Sequence, residues 1–243
     1  MAKKQGENEN QKKYNELKEK FRSAMQGFDE IELAIESAKK MFVPKNIEVV
    51  VNEIQEKGTL KRAITLSAIA AIMTAAVGFL VNVESIYFAQ FTLNALHEIG
   101  VSNAADFAIP YQKIFLLFLA SIPISIIGGY IYDYAAYRLA KLIGGKSTFE
   151  KQYYISSILG ISAFFASLIL IISPVPGIGF VGAVVYLIAN IYISIYARTI
   201  AYSKLHQISK IHAFLIVIIL SIITFLLGMY ISNQFQNYLE IKV

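Results

Sequence analysis

The stretch AFLIVIILSIITFLLGMYI, residues 213–231, decides the fold class of this chain. It contains no charged residue, and its length is close to the roughly 20 residues that a helix needs to cross a bilayer. Four further stretches have a similar apolar character: Ala63–Val83, Ile114–Tyr132, Tyr153–Ser173 and Ile178–Ile200. We therefore predict an all-α protein, in which residues 63–231 form a polytopic membrane bundle of five transmembrane helices.

The basic residues are distributed unevenly around these five stretches. Of the 22 lysines and arginines, 13 precede Ala63, four lie between the second and third stretches, and Arg198, Lys204 and Lys210 lie at or after the carboxyl end of the fourth. Only Lys113 and Lys242 fall on the other side. Because basic loops stay on the cytosolic side, we expect a multi-pass protein of the cell membrane with a cytosolic amino terminus and an extracytosolic tail, 232–243.

Composition argues against several classes of function. The net charge of +5 sits in short segments that flank the apolar stretches, where membrane topology explains it, so we expect the lipid bilayer and no nucleic acid as a partner. The chain has no cysteine, which excludes disulfides, thiolate metal sites and cysteine nucleophiles.

The segment before the first apolar stretch has its own pattern. Residues 1–13 are polar and predict a disordered leader, and residues 14–62 predict a cytosolic helical segment. Apolar residues then recur at alternating spacings of three and four, which predicts a long amphipathic helix with a heptad seam: Tyr14, Leu17, Phe21, Ala24, Phe28, Ile31, Ile35, Ala38 and Phe42. This seam either packs on the protein itself or the lipid surface, or forms a coiled coil with a second copy or a partner.

Three polar residues lie in or next to the apolar stretches. Asp133 and Arg138 come at the end of the second stretch, and Asn190 is near the middle of the fourth. Polar groups are costly in hydrocarbon, so these residues are candidates for an ion or proton path. The alternative is structural: Asp133 pairs with Arg138 or Lys141 at the membrane interface. A single acid without a second acid or histidine in its layer favours the structural alternative.

The motifs that resemble catalytic or cofactor sites lack the context that such sites need. Gly177 to Gly182 match a dinucleotide fingerprint, but they open an apolar helix instead of joining a strand to a helix. Gly145-Lys146-Ser147 resembles the end of a phosphate-binding loop, again without a preceding strand. We therefore predict no catalytic residue, no cofactor and no metal, and expect that the protein is not an enzyme.

The stretch AAYRLAKLIGGKSTF, residues 135–149, resembles the signature of the Yip family, the Rab-GTPase-interacting membrane proteins and their prokaryotic relatives. In that signature a helix ends in a glycine pair, followed by a polar turn and an aromatic residue. Gly144 and Gly145 correspond to the glycine pair, Lys146 to the polar position and Phe149 to the aromatic. The resemblance covers about residues 44–231 and is to the prokaryote-like branch. Independently of the family, we interpret the glycine pair as a structural turn.

Two functions follow as hypotheses. The resemblance implies a non-enzymatic membrane scaffold or adaptor with a trafficking-like role, which organises the membrane or recruits partners through residues 14–42. The polar residues Asp133 and Asn190 support the alternative of a small channel or transporter.

Overall fold

The computed structural model describes residues 29–98, 111–172, 175 and 178–238. Within these ranges all regular structure is helical, which confirms the predicted all-α class. The main helices are α1 (29–40), α2 (Ile47–Ile54), α3 (Leu60–Glu98), α4 (Tyr111–Leu142), α5 (Phe149–Ser167), α6 (Ile178–Ile191), α7 (Arg198–His206) and α8 (Lys210–Tyr238). A 3-10 turn, Leu168–Ile172, extends α5, and a π-helical segment, Tyr192–Ala197, joins α6 to α7.

Five of the helical segments are long and apolar enough to cross a membrane, which confirms the five-span architecture. They are Leu60–Ala95, Ile114–Leu142, Phe149–Ile172, Ile178–His206 and Lys210–Ile231. Most of these helices present large apolar side chains outward, where they would meet lipid tails. Examples are Leu116, Phe180 and Phe225, all of them exposed.

α5 is the central helix of the bundle. It packs against α3, α4 and the α6–α7 segment, and its buried residues include Tyr153, Ile155 and Ile158. Serines lie among these apolar residues, and the hydroxyls of two of them bond to backbone carbonyls of neighbouring helices. Ser157 Oγ donates to the Ala63 carbonyl at 2.9 Å. Small side chains let helix backbones approach closely, which explains why this span occupies the centre.

α1 and α2 are part of the bundle. Ala34, Ala38, Met41 and the inner face of α2 are buried in one hydrophobic core with α5. Ser162 Oγ of α5 donates to the Ala38 carbonyl at 3.1 Å, so α1 lies directly against α5. Backbone-to-side-chain contact of this kind requires close packing.

This packing includes the part of the heptad seam that lies in residues 29–42. Ile31, Ile35 and Phe42 are partly buried against the protein's own core. These three residues therefore pack on the chain itself, and a coiled coil with a second copy or a partner stays a prediction. Tyr14, Leu17, Phe21 and Phe28 lie outside the described residues, so self-association through them stays a prediction.

Candidate functional site

The turn between α4 and α5 lies where the glycine pair predicted it. Gly144 has a φ of 90°, which side chains other than glycine rarely adopt, and the Gly145 amide donates to the Ala140 carbonyl at 2.8 Å. A β-carbon on Gly145 would lie 2.7 Å from that carbonyl oxygen and 2.9 Å from His206 Nδ1. The interpretation as a structural turn is confirmed, and Gly145 also lets this turn contact α7.

The other two turn residues have different surroundings. The Lys146 side chain is exposed, while its amide donates to the His206 carbonyl at 3.1 Å. Phe149 begins α5 and joins an aromatic cluster, with ring centroids 5.1 Å from Tyr130 and 5.6 Å from Tyr153. Phe149 therefore anchors the start of the central helix against α4.

Asp133 is the centre of a buried polar network that joins three helices. Its side chain is 3% exposed and faces α5 and α7. Ser156 Oγ donates to Asp133 Oδ1 at 2.6 Å, and the Tyr202 hydroxyl donates to the same oxygen. Two hydroxyl donors on one carboxylate oxygen replace part of the water that the acid loses on burial. The acid therefore links α4, α5 and α7.

The network continues from Asp133 to His206 through one glutamine. Gln152 Nε2 donates to the Asp133 backbone carbonyl at 2.7 Å, and Gln152 Oε1 lies 2.6 Å from His206 Nε2. Since the amide oxygen can only accept, His206 Nε2 must carry the proton. Gln152 and His206 are both fully buried, so this chain of bonds fixes the register of α7 on α4 and α5.

Arg198 of α7 is the cation next to Asp133, and this corrects the prediction from sequence. Arg138 is exposed on α4, and among the described residues neither it nor Lys141 forms an ion pair with Asp133. The predicted pairing of Asp133 with Arg138 or Lys141 is therefore wrong. Arg198 stacks its guanidinium on the Tyr132 ring, with Cζ 4.8 Å from the ring centroid.

The π-helical segment Tyr192–Ala197 immediately precedes Arg198. A π turn holds an extra residue, so it rotates everything that follows around the helix axis. This rotation places Arg198 on the side of α7 that faces Asp133. Such wide turns are frequent at functional sites, and sequence periodicity does not reveal them.

A cavity of about 210 Å³ lies between α3, α4 and α5, with Asp133 and Arg198 on its wall. Small residues form much of the lining, including Ala71, Gly129 and Gly160, and hydroxyls add polarity. The hydroxyl-bearing residues of the lining are Ser67, Thr74, Ser125, Tyr153, Ser156 and Ser157. An acid, a cation and several hydroxyls therefore converge at this cavity.

Asn190, the third polar candidate, does not join this site. Its amide nitrogen donates to the Tyr186 hydroxyl at 3.0 Å, and its amide oxygen accepts from Ser194 Oγ at 3.0 Å. Both partners belong to the same helical segment as Asn190. The side-chain amide of Asn190 therefore finds its hydrogen-bond partners within its own helical segment.

Residues 29–98, 111–172, 175 and 178–238 contain no group of three or more His, Asp or Glu side chains that could hold a metal ion. Sequence reasoning missed Gln152, Ser156, Tyr202 and His206 as members of the network. It assigned Arg198 to a basic loop, although Arg198 lies inside a predicted span. A cation inside an apolar stretch is a signal that could have found it.

Comparison of this chain with known protein families, with curated proteins and with solved structures finds no match.

Proposed function

We propose that this protein is a non-enzymatic integral membrane scaffold of the Yip type, which recruits a partner on its cytosolic face. One observation carries the proposal: a groove of about 520 Å³ lies between α2 and the end of α7, lined almost entirely by polar residues. Its lining includes Glu48, Asn52, Gln55, Ser203, Lys204 and Gln207. We call it the α2–α7 groove. It lies beside the basic α7–α8 connection, which the positive-inside rule assigns to the cytosol.

Ion pairs support a preformed groove. They tie the segment before the first span to three different spans: Glu30 to Arg62 of α3 at 2.8 Å, Glu56 to Lys151 of α5 at 2.7 Å, and Glu48 to Lys210 of α8 at 3.2 Å. Each exposed pair contributes only about 0.2–1 kcal/mol. Together with the buried face of α2, however, they hold α2 in one position, which lowers the ordering cost of binding.

Site-specific photo-crosslinking in native membranes tests the proposal. A photoreactive residue at Asn52 or at Gln207, both exposed in the α2–α7 groove, is expected to crosslink one and the same partner. The matched control is Glu32, exposed on α1 outside the groove, which should not yield that adduct. Failure of both groove positions to yield a protein adduct, or equal yields from Glu32, would contradict partner recruitment at this groove.

A small channel or transporter is the second candidate, and the cavity that contains Asp133 and Arg198 is the observation that favours it. Against a cation path, Arg198 would repel a cation there, and Asp133 already accepts two hydroxyl bonds. We expect purified protein in liposomes to show no ion flux above empty liposomes, and Asp133→Asn to leave this result unchanged. Flux that Asp133→Asn abolishes would replace the scaffold proposal with the transport function.

A further inference from the structure

The cavity beside Arg198 has unused hydrogen-bond donors. Arg198 Nε and the Tyr153 hydroxyl are both buried, and neither has a hydrogen-bond partner in the described part of the chain. Both residues line the cavity, and Tyr153 is 1% exposed. A buried donor without a partner costs about 1–3 kcal/mol, and more when it is charged. A ligand with several acceptor atoms would recover this free energy.

The cavity wall carries one cation, Arg198, and one acid, Asp133. Arg198 contributes a full positive charge, and in the described chain no carboxylate lies within ion-pair distance of it. Asp133, the nearby acid, is already bonded by Ser156 and Tyr202. A guanidinium group surrounded by hydroxyl donors is well suited to a phosphate group, which offers several charged oxygens.

The volume is suitable for a phosphate with a short attachment. A cavity of about 210 Å³ corresponds to roughly seven water-sized volumes of about 30 Å³ each. This accommodates a phosphate and part of a glycerol. The walls are short side chains, so little rearrangement is needed.

The position of the cavity points to a membrane lipid as the source of the phosphate. Asp133 lies about 29 Å along α4 from Ile114, where this candidate span begins, at 1.5 Å per residue. That distance matches the roughly 30 Å thickness of the hydrocarbon core, so Asp133 and Arg198 lie near the level of lipid headgroups. Thr74 and Ser125, also in the lining, are exposed on the outer surface of α3 and α4.

We infer that the cavity between α3, α4 and α5 binds the phosphate group of a membrane lipid, with Arg198 and Tyr153 as donors. The acyl chains of this lipid extend from the cavity into the bilayer between α3 and α4, past Thr74 and Ser125. This site lies apart from the α2–α7 groove and does not depend on partner recruitment there.

Two adjacent glycines provide a matched test. In the described structure, a β-carbon on Gly128 or on Gly129 would meet nothing within 4 Å, so both positions accept a larger side chain. Only Gly129 lines the cavity. Gly129→Leu therefore fills the cavity and leaves Arg198 in place, while Gly128→Leu makes the same change on the neighbouring surface. Glycine replacement in a helix also favours folding.

The experiment measures lipid binding to the delipidated full-length protein in detergent, by native mass spectrometry and thermal shift. The probes are phosphatidylglycerol, diacylglycerol, which lacks phosphate, and inorganic phosphate. We expect phosphatidylglycerol to bind, and Gly129→Leu and Arg198→Met each to weaken it by about tenfold or more. Gly128→Leu and Arg138→Met, the control for a lost exposed charge, should bind like the original protein.

Three results would overturn the inference. Equal binding of diacylglycerol would show that acyl chains, not phosphate, are recognised. Unchanged binding by Gly129→Leu would place the lipid elsewhere, and this variant does not depend on how Arg198→Met folds. Saturation by inorganic phosphate, with no further gain from the lipid, would assign the cavity to a soluble phosphate and reject the lipid.

Discussion

α5 and the α6–α7 segment are consecutive membrane spans, yet they have opposite surroundings. About half of the apolar window of α5 is buried inside the protein, compared with less than a fifth of the window in Ile178–His206. Both are apolar enough to cross a membrane. The difference lies in the side chains: α5 has four serines among its large residues, whereas α6 consists largely of branched aliphatics that face outward. In lipid, hydropathy identifies a span, but small polar residues identify which span is central.

The largest effect should come from truncating matched isoleucines in these two spans. Ile158 of α5 is 0% exposed and Ile188 of α6 is 63% exposed. We expect Ile158→Ala to lower the free energy of unfolding by about 2–5 kcal/mol, because it leaves a cavity in the core. Ile188→Ala should change it by less than about 0.5 kcal/mol. Reversible unfolding in mixed micelles measures both, and similar losses would contradict the central position of α5.

The next largest effect concerns the glutamine that links the polar network. Gln152→Leu leaves the Asp133 carbonyl and His206 Nε2 without their partner, and we expect a loss of about 2–3 kcal/mol in the same unfolding measurement. Asn82→Leu is the control, because Asn82 is exposed and bonds only to the Gly78 carbonyl of its own helix, at 2.8 Å. An equal loss of unfolding free energy from Asn82→Leu would show that the buried network contributes no more to stability than an exposed hydrogen bond does.

A smaller loss of stability is expected when the Ser156 hydroxyl, which donates to Asp133, is removed. Ser156→Ala removes one of two donors to the carboxylate, while Tyr202 remains. The free energy of unfolding should fall by about 1 kcal/mol. The double variant Ser156→Ala with Tyr202→Phe should lose more than the sum of the single changes, because the acid is then left without either hydroxyl donor. Simple additivity would argue against a shared role at Asp133.

The smallest loss of stability is expected for a substitution in α6. Asn190 bonds only within its own segment, so Asn190→Ala should cost about 0.6 kcal/mol, near the average for polar contacts between membrane helices, or less. The same micelle titration measures it. A loss as large as that of Gln152→Leu would mean that Asn190 holds the bundle together, and that the contrast between α5 and α6 is wrong.

Much of the architecture could be predicted from sequence, because hydropathy and turn chemistry act locally. The five spans and the turn at Gly144 follow from length, composition and the need for a positive φ. The cation beside Asp133 could not be predicted, since the π-helical segment rotates Arg198 toward the acid and leaves no periodic signal. The surface on which α1 packs could not be predicted either, because a heptad seam shows that a face of the helix is buried but not what buries it.

The packing of α1 on α5 makes the segment before the first span part of the bundle. The chain has no cysteine, so two introduced cysteines have no native thiol with which to form a disulfide. Ala38 and Ser162 are in direct contact, whereas Glu32 is exposed on α1. We would measure disulfide formation in native membranes for Ala38→Cys with Ser162→Cys, and for Glu32→Cys with Ser162→Cys as the control. We predict a rapid intramolecular disulfide in the first pair alone. Crosslinked dimers would show that α1 pairs with another chain, and no disulfide in the first pair would contradict the contact between α1 and α5.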